Sequence, residues 1–408
     1  VYEPKVSAPA MTATPTLSDT ARFLISGRLA IFYIAFFSVM GIQLPFWPVW
    51  LESRGLDAAD IGTVMALTTG GRIIASPLFA LLADRMGERK RLMIGLALGS
   101  LASFLLFGLA DGFWAIFGVT LLFTIAWSPL LPLGEILVAS KARETGLQYG
   151  RVRLWGSLSF IAISSTIGGL LVGRPAGTIY GVMAIAIAIT AVTCLQLPEK
   201  RVPPGPGGRI RFRAFLQDRT FLLFMIAGAL IQSSHGVYYA FGSLHWKSAG
   251  YSELVIGGLW GEGVLAEVIL FAVGAAVSRR FQPPTLILLG GLAGMLRWTV
   301  LGLTDAMPAL IAVQALHAFT FGTVHLGAVN LILQRVPSAA SAMAMSLYSS
   351  VALGLATGII MKLAGYLYGS FAAHAYFGMT LTAGLGSLFA LALMRRWKTG
   401  GEGSVTTG

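Results

Sequence analysis

The sequence predicts an all-α membrane protein with twelve transmembrane helices arranged as two halves of six. Composition is the first sign. The chain is 56% hydrophobic and only 11% charged over 408 residues, whereas a soluble domain carries about 25% charged residues. The second sign is a mean hydropathy of +0.77 together with 50 glycines, the composition of membrane helices packed through small residues. The third is layout: apolar runs of bilayer-crossing length, about 20 residues, recur on both sides of one charged, Gly/Pro-rich interruption.

Residues 1–27 are rich in Pro, Thr, Ala and Ser and show no cleavable signal peptide, so they are expected to be a disordered cytoplasmic N-terminus. The first span is expected near 28–50, after Arg22 and Arg28, with a bend at Gly41-Ile42-Gln43-Leu44-Pro45. The second, 60–83, is broken by Arg72 behind Gly70-Gly71. The third, 91–110, follows a basic loop, and the fourth, 113–138, follows the tight turn Asp111-Gly112. The fifth, 152–172, opens on Gly150-Arg151-Val152-Arg153, and the sixth is placed at 177–197. Residues 28–197 thus form an N-terminal half. The interruption at 198–218 sets Lys200, Arg201, Arg209, Arg211 and Arg213 around Pro203-Pro204-Gly205-Pro206-Gly207-Gly208, a cytoplasmic linker. Six spans follow, near 219–244, 254–277, 284–303, 307–333, 339–367 and 371–394. They form the C-terminal half, 219–394, with a cytoplasmic tail at 395–408.

Orientation follows from the 29 basic residues. Only Arg54, Arg174 and Lys247 fall in loops on one side, and Arg72, Arg297 and Lys362 lie within spans. All the others border the side that holds both termini, which places the termini in the cytoplasm. The net charge of +12 does not indicate nucleic acid, because the basic residues sit in short loops and form no continuous patch. The single cysteine, Cys194, excludes an internal disulfide framework.

Ionisable residues inside spans are expensive and mark function. Leu254–Val277 contains Glu262 and Glu267, the next span contains Arg297, and the one after it His317. Arg297 lies about 20 Å into its span at helical rise. Glu262 and Glu267 are separated by roughly 140° around a helix and do not share a face. His325 is only about 80° off the face of His317, close enough for a relay. His235 shares a face with Tyr239, beside Tyr238, an arrangement suited to an aromatic or carboxylate ligand or to packing. Arg72 is deep enough to attract an anion or to pair within its half, and Gln43 is a neutral hydrogen-bonding candidate. Glu135 and Arg153 can face each other across a predicted hairpin, where a buried pair is rarely a net stabiliser and so points to substrate binding or gating; the alternative is that Glu135 simply neutralises the basic entry to span five. Trp47, Trp50, Trp114 and Trp246 are expected at the outer interface. Trp155 and Trp260 are candidates for cavity lining. No His/Cys/Asp cluster has metal-ligand spacing, and no Rossmann or P-loop motif opens on the glycines. With no nucleophile triad either, no metal, cofactor or catalytic site is expected, and the chain is not read as an enzyme.

The loop between spans two and three reads Ala80-Leu81-Leu82-Ala83-Asp84-Arg85-Met86-Gly87-Glu88-Arg89-Lys90-Arg91. Its D-R-x-G-x-R-K spacing resembles the signature loop of the major facilitator superfamily, although Ala80 stands where a glycine is usual. The second-half counterpart, Ser278-Arg279-Arg280-Phe281, lacks the acid. Further segments resemble the bacterial phenylpropionate permease branch, related to the lactose permease group of proton symporters. They are Leu44-Pro45-Phe46-Trp47-Pro48-Val49-Trp50-Leu51, Tyr149-Gly150-Arg151-Val152-Arg153-Leu154-Trp155-Gly156-Ser157, His235 to Phe241, and Ala266-Glu267-Val268-Ile269. The resemblance runs from about Arg28 to Arg395.

That resemblance implies two six-helix bundles around a central cavity, rocking alternating access and proton-coupled uptake of a small organic solute. It also implies a monomer in the bacterial inner membrane. Asp84, Arg85, Gly87 and Arg89 become a cytoplasmic gate. Arg297 and His317 match an arginine and a histidine of the lactose permease coupling network. The position of that network's proton-accepting carboxylate is Thr320, and that of its lysine is Gln314, so the proton site must have moved. Glu267 is the expected site, with Glu262 and His325 as further members. Glu135 and Arg153 match a sugar-recognition pair, and with Arg72, Gln43, His235, Tyr238 and Tyr239 they form the expected substrate set. The solute is read as an aromatic or other organic acid. A sugar or nucleoside, export rather than import, and a non-transporting membrane partner on the same fold remain as alternatives.

Overall fold

The computed structural model describes residues 19–198, Phe215 and 217–399. The expected N-terminal segment up to residue 18, most of the linker and the end of the tail lie outside the described residues. Helices dominate: α1 Asp19–Ser53, α2 Ala58–Ala83, α3 Arg89–Gly108, α4 Gly112–Thr145, α5 Tyr149–Leu171, α6 Gly177–Gln196, α7 Arg219–Ser248, α8 Glu253–Ala272, α9 Pro283–Leu303 and α10 Met307–Arg335. The rest of the apolar chain forms one helical stretch of 55 residues, Met343–Trp397. At helical rise it would be about 80 Å long, far beyond a hydrocarbon core of about 30 Å. The stretch breaks at residues 372–374, where Ala372 takes φ 47. This defines α11 at 338–371 and α12 at Ala375–Thr399, completing the twelve expected spans among the described residues.

The local chemistry of the ends accounts for the boundaries. The Asp57 carboxylate accepts from the Asp60 amide at 2.8 Å and caps α2. Asp218 accepts from the Thr220 amide at 2.8 Å and opens α7. The chain of α2 stays helical to Met86, where Gly87 stops it in the left-handed region, φ 66, its amide donating to the Ala83 carbonyl at 3.0 Å. With twelve antiparallel helices, the first and last described helices present their outer ends at the same face. That face is called the terminal end here, and the opposite one the distal end.

Within the first half α1 packs on α5 and α6, and α3 on α4 and α6; within the second, α12 packs on α7 and α9. Trp47 and Trp50 stack at 4.4 Å and meet Phe107 and Tyr180. Both tryptophans, and Trp246, are buried, whereas Trp114 is 78% exposed. Three of the four tryptophans expected at the outer interface are therefore core residues; aromatic rings of α3 and α6 cover Trp47 and Trp50.

The halves meet through α5 on α8, α2 on α11 and α1 on α7. Glycine makes the first two contacts possible. A Cβ on Gly62 would lie 2.8 Å from the Met361 carbonyl oxygen, and one on Gly257 would collide with the Ser164 carbonyl. These backbone-to-backbone crossings, joined by Gly168 against Glu253 and Gly365 against Ala58, all fall in the distal halves of their helices. The two bundles are therefore pressed together distally.

Several spans are locally irregular, and three of the irregularities carry ionisable residues. α2 breaks at Gly71, just ahead of Arg72. α7 breaks at Ser234–His235. α10 passes into a π-helical turn at Ala318–Thr323, with His317 at its start. Such turns re-aim side chains and recur at functional sites.

Candidate substrate and coupling site

Arg297 of α9 is fully buried. One guanidinium nitrogen donates to His317 Nδ1 at 3.0 Å and to Thr320 Oγ1 at 3.1 Å, and the other donates to Gln314 Oε1 at 2.7 Å. The cation also lies over the rings of Tyr238, at 4.6 Å, and Trp298, at 4.8 Å. All its hydrogen-bond partners among the described residues are neutral. An isolated ion in such a place is costly; dense donation and two ring faces offset the cost.

Arg297 is locked in place by its neighbours' own partners. Gln314 donates to the Tyr238 hydroxyl at 3.1 Å and to the Leu259 carbonyl at 2.9 Å, tying α10 to α7 and α8. His235 Nδ1 donates to the Gln232 carbonyl at 3.0 Å, so its Nε2 accepts from the Thr320 hydroxyl at 3.0 Å. Trp298 donates to Ser234 at 2.9 Å. Tyr238 stacks on Trp260 at 4.5 Å, and His235 stacks on Tyr239 at 5.2 Å.

Because Arg297 donates to His317 Nδ1, the neutral imidazole carries its proton on Nε2. That nitrogen faces Glu267 Oε2 at 3.7 Å, and the Glu267 side chain is 20% exposed. A second proton on His317 would have to displace the arginine, whereas the Glu267 side chain keeps some contact with solvent. Glu262, half-buried one turn and a half away, lies within electrostatic reach of Arg297 but not of His317 among the described interactions.

The first bundle contributes a different arrangement. Arg153 Nε lies 3.5 Å from Glu135 Oε1, with side chains 28% and 40% exposed. The arginine also covers the rings of Phe37, at 4.1 Å, and Tyr33, at 5.3 Å. Arg153 reaches Glu267 electrostatically across the bundle interface, and Arg72 reaches Tyr239 in the same way. Arg72 is exposed and makes no ion pair among the described residues. The two halves therefore turn opposite charges and aromatic rings towards one shared space.

Most of the residues singled out from the sequence converge on this space: Arg297, His317, Glu267, His235, Tyr238 and Tyr239 from one half, Arg153, Glu135 and Arg72 from the other. His325 lies off this cluster, towards the terminal end, with its ring parallel to that of Phe321 at 6.0 Å. Gln43 is buried in α1 and makes no hydrogen bond to the cluster among the described residues. Arg85 is exposed and Glu88 pairs with Arg91 at 2.7 Å; the Asp84 side chain lies outside what is described. Trp155 is exposed and Trp260 buried. His245, at a helix end, pairs with Asp305 at 2.6 Å on the distal side.

Sequence reasoning saw Thr320 and Gln314 as lost ionisable groups, whereas they are central partners of Arg297. Tyr33 and Phe37 were missed altogether. Their i, i+4 spacing opposite a helix carrying Arg153 was the available signal.

Among the described residues, twelve membrane helices in two bundles, with an ionisable cluster between them and backbone-to-backbone crossings in their distal halves, define a major facilitator-type transporter. The chain belongs to the MFS_1 like family, whose model matches residues 27–379. It is 33% identical over 372 residues to the probable 3-phenylpropionic acid transporter of Escherichia coli (strain K12), covering 88% of this chain and 96% of that one. It is 28% identical to the maltose permease of Geobacillus stearothermophilus, covering 91% and 95%. The solved nucleoside transporter NupG has the same fold, with a TM-score of 0.78 at 17% identity over 92% of this chain and 99% of that one. The chain is thus a membrane transporter that moves a small organic solute by alternating access, akin to bacterial multi-pass inner-membrane proteins, and its family is one of transporters rather than enzymes.

Proposed function

We propose that this transporter imports a small organic acid, aromatic in character, together with a proton. The observation that carries the reading is the Glu267–His317–Arg297 chain: an exchangeable carboxylate coupled, through an imidazole held in one tautomer, to a buried cation with neutral partners. Protonating Glu267 leaves a site rich in positive charge, with Arg297, Arg153 and Arg72 around it, which favours an incoming anion. Tyr239, half-buried, supplies a ring face for the rest of the solute, backed by the buried Tyr238 and His235, and Gln43 adds hydrogen-bonding capacity. The name of the Escherichia coli relative, a probable 3-phenylpropionic acid transporter, supports an aryl carboxylate. Glu135 holds Arg153 until the substrate competes for it.

In this reading the protein works as a monomer with both termini in the cytoplasm. The bundles are 28–197 and 219–394, joined by the linker at 198–218. The distal contact of α5 on α8 and α2 on α11 then closes the outer side, which makes the conformation inward-open. Asp84, Arg85, Gly87 and Arg89 lie at the cytoplasmic gate, and Glu262 stays near Arg297 as a secondary acid.

The test is purified protein in liposomes with internal pH recorded. Aromatic and aliphatic carboxylates, sugars and nucleosides are added outside in turn. Acidification with aryl carboxylates such as 3-phenylpropionate is expected. Acidification only with a sugar or nucleoside moves the substrate class, and solute uptake with no proton movement overturns the coupling.

A further inference from the structure

We propose that His325 is the proton exit of this transporter, carrying the coupling proton from Glu267 to the terminal end of the molecule. The proposal rests on Glu267 being the proton site. A line of aromatic rings runs down α10: His317 and Phe321 lie near-parallel at 5.7 Å, and Phe321 and His325 at 6.0 Å. The π-helical turn at Ala318–Thr323 separates the first histidine from the second.

Alongside runs α8. A Cβ on Gly322 would come within 3.7 Å of Glu267 Cγ and 2.6 Å of Leu270 Cδ2, so this glycine lets the acid lie against α10. Four residues beyond Glu267, Phe271 meets the His325 ring edge-on at 6.2 Å. Because α8 and α10 both run from the distal to the terminal end, His325 sits about one helical turn, near 5 Å, below Glu267 on the terminal side. The transfer therefore runs through bridging water rather than by direct contact.

Three facts suit His325 to the role. Its Nδ1 is buried with no hydrogen-bond partner among the described residues. Its ring is half-buried rather than sealed. Among the described residues no arginine donates to it, unlike His317. The ionisable groups around it are few. α8 offers Glu267, α9 offers none from Pro283 to Leu296, and α10 offers His317 and then Arg335, which pairs with Asp218 at 3.6 Å. Arg279 and Arg280 lie on the short helix Gly274–Arg280, which a hydrogen bond between Asn330 and Ser278 joins to α10.

The transfer balances. The Glu267 O–H bond breaks and its proton passes to His325 Nδ1. The imidazolium then turns its Nδ1–H to the terminal end, gives that proton to water there and turns back, with Nε2–H kept throughout. One proton moves and His325 ends neutral. His317 cannot serve this way while its Nδ1 is occupied by Arg297.

The experiment compares wild type, His325→Phe and His325→Gln in liposomes with labelled 3-phenylpropionate. Net uptake driven by a pH gradient needs proton release, whereas counterflow exchange of labelled for unlabelled solute does not. Phenylalanine keeps the ring stack with Phe321 and Phe271. Both variants are expected to lose at least tenfold in net uptake and to stay within twofold of wild type in counterflow, which also shows that they fold. Net uptake within twofold of wild type in either variant overturns the proposal. So does loss of counterflow in both, which assigns His325 to structure or substrate. Wild type that takes up none of the probe overturns the functional reading and this proposal with it, a result distinct from a failure confined to the variants.

Discussion

The two halves of this transporter hold their arginines in opposite ways. In the first bundle Arg153 has a carboxylate, Glu135, at 3.5 Å, and both side chains keep contact with solvent. In the second bundle Arg297 is fully buried and is held by His317, Thr320 and Gln314, none of them an acid. A solvated ion pair gains little, typically 0 to about 1 kcal/mol, so it can be opened and remade at small cost. A buried cation with neutral donors and acceptors cannot move without stranding them, and each stranded polar group costs about 1–3 kcal/mol. Under the proposed function the difference would separate two tasks: the first arginine changes partners with a solute, while the second stays fixed and acts on whatever charge approaches it.

The sharpest way to break this comparison is to remove Glu267, the acid that His317 links to the fixed cation. Glu267→Gln is expected to lower net proton-driven uptake at least 100-fold while leaving counterflow of labelled solute intact; full uptake by this variant would remove Glu267 from coupling. Arg297→Lys should follow, with a loss of about 30-fold or more in both assays, since a point-charge ammonium cannot serve three acceptors in the plane of a guanidinium.

Thr320→Val should cost stability as well as transport. It keeps the shape but strands His235 Nε2 and one Arg297 donor, for a loss of about 2–6 kcal/mol, readable as a lowered unfolding midpoint in detergent. The smallest effect is expected in the first bundle. Glu135→Gln should change stability by less than about 1 kcal/mol and raise the half-saturating solute concentration by only a few-fold. If Glu135→Gln proved as damaging to the fold as Thr320→Val, the contrast between the two arginines would fall.

Residues 254–277 show how far the sequence reached into the site. Two acids in an apolar run stand out without any structure, and so do Arg297 and His317 on the next two spans. The pairing of Glu135 with Arg153 was also legible, because a short turn makes α4 and α5 antiparallel neighbours. Thr320 and Gln314 were not legible as partners. A threonine or glutamine in a span is unremarkable until a cation is placed beside it. Nor did the tryptophans reveal themselves, since Trp47 and Trp50 owe their burial to Phe104, Phe107 and Tyr180 on other helices.

The sequence by itself determined the twelve spans, the division into halves and the list of ions withheld from lipid. All of these follow from how each residue partitions between water and hydrocarbon, a property of local segments. Only the tertiary structure decided which ion meets which partner, that His317 offers Nε2 to Glu267, and that the halves close at the distal end. Those outcomes depend on how far each helix is rotated and how near its neighbours lie. Backbone contacts at Gly62 and Gly257, the break before Arg72 and the π-helical turn after His317 set those quantities, and no periodicity within a single span records them.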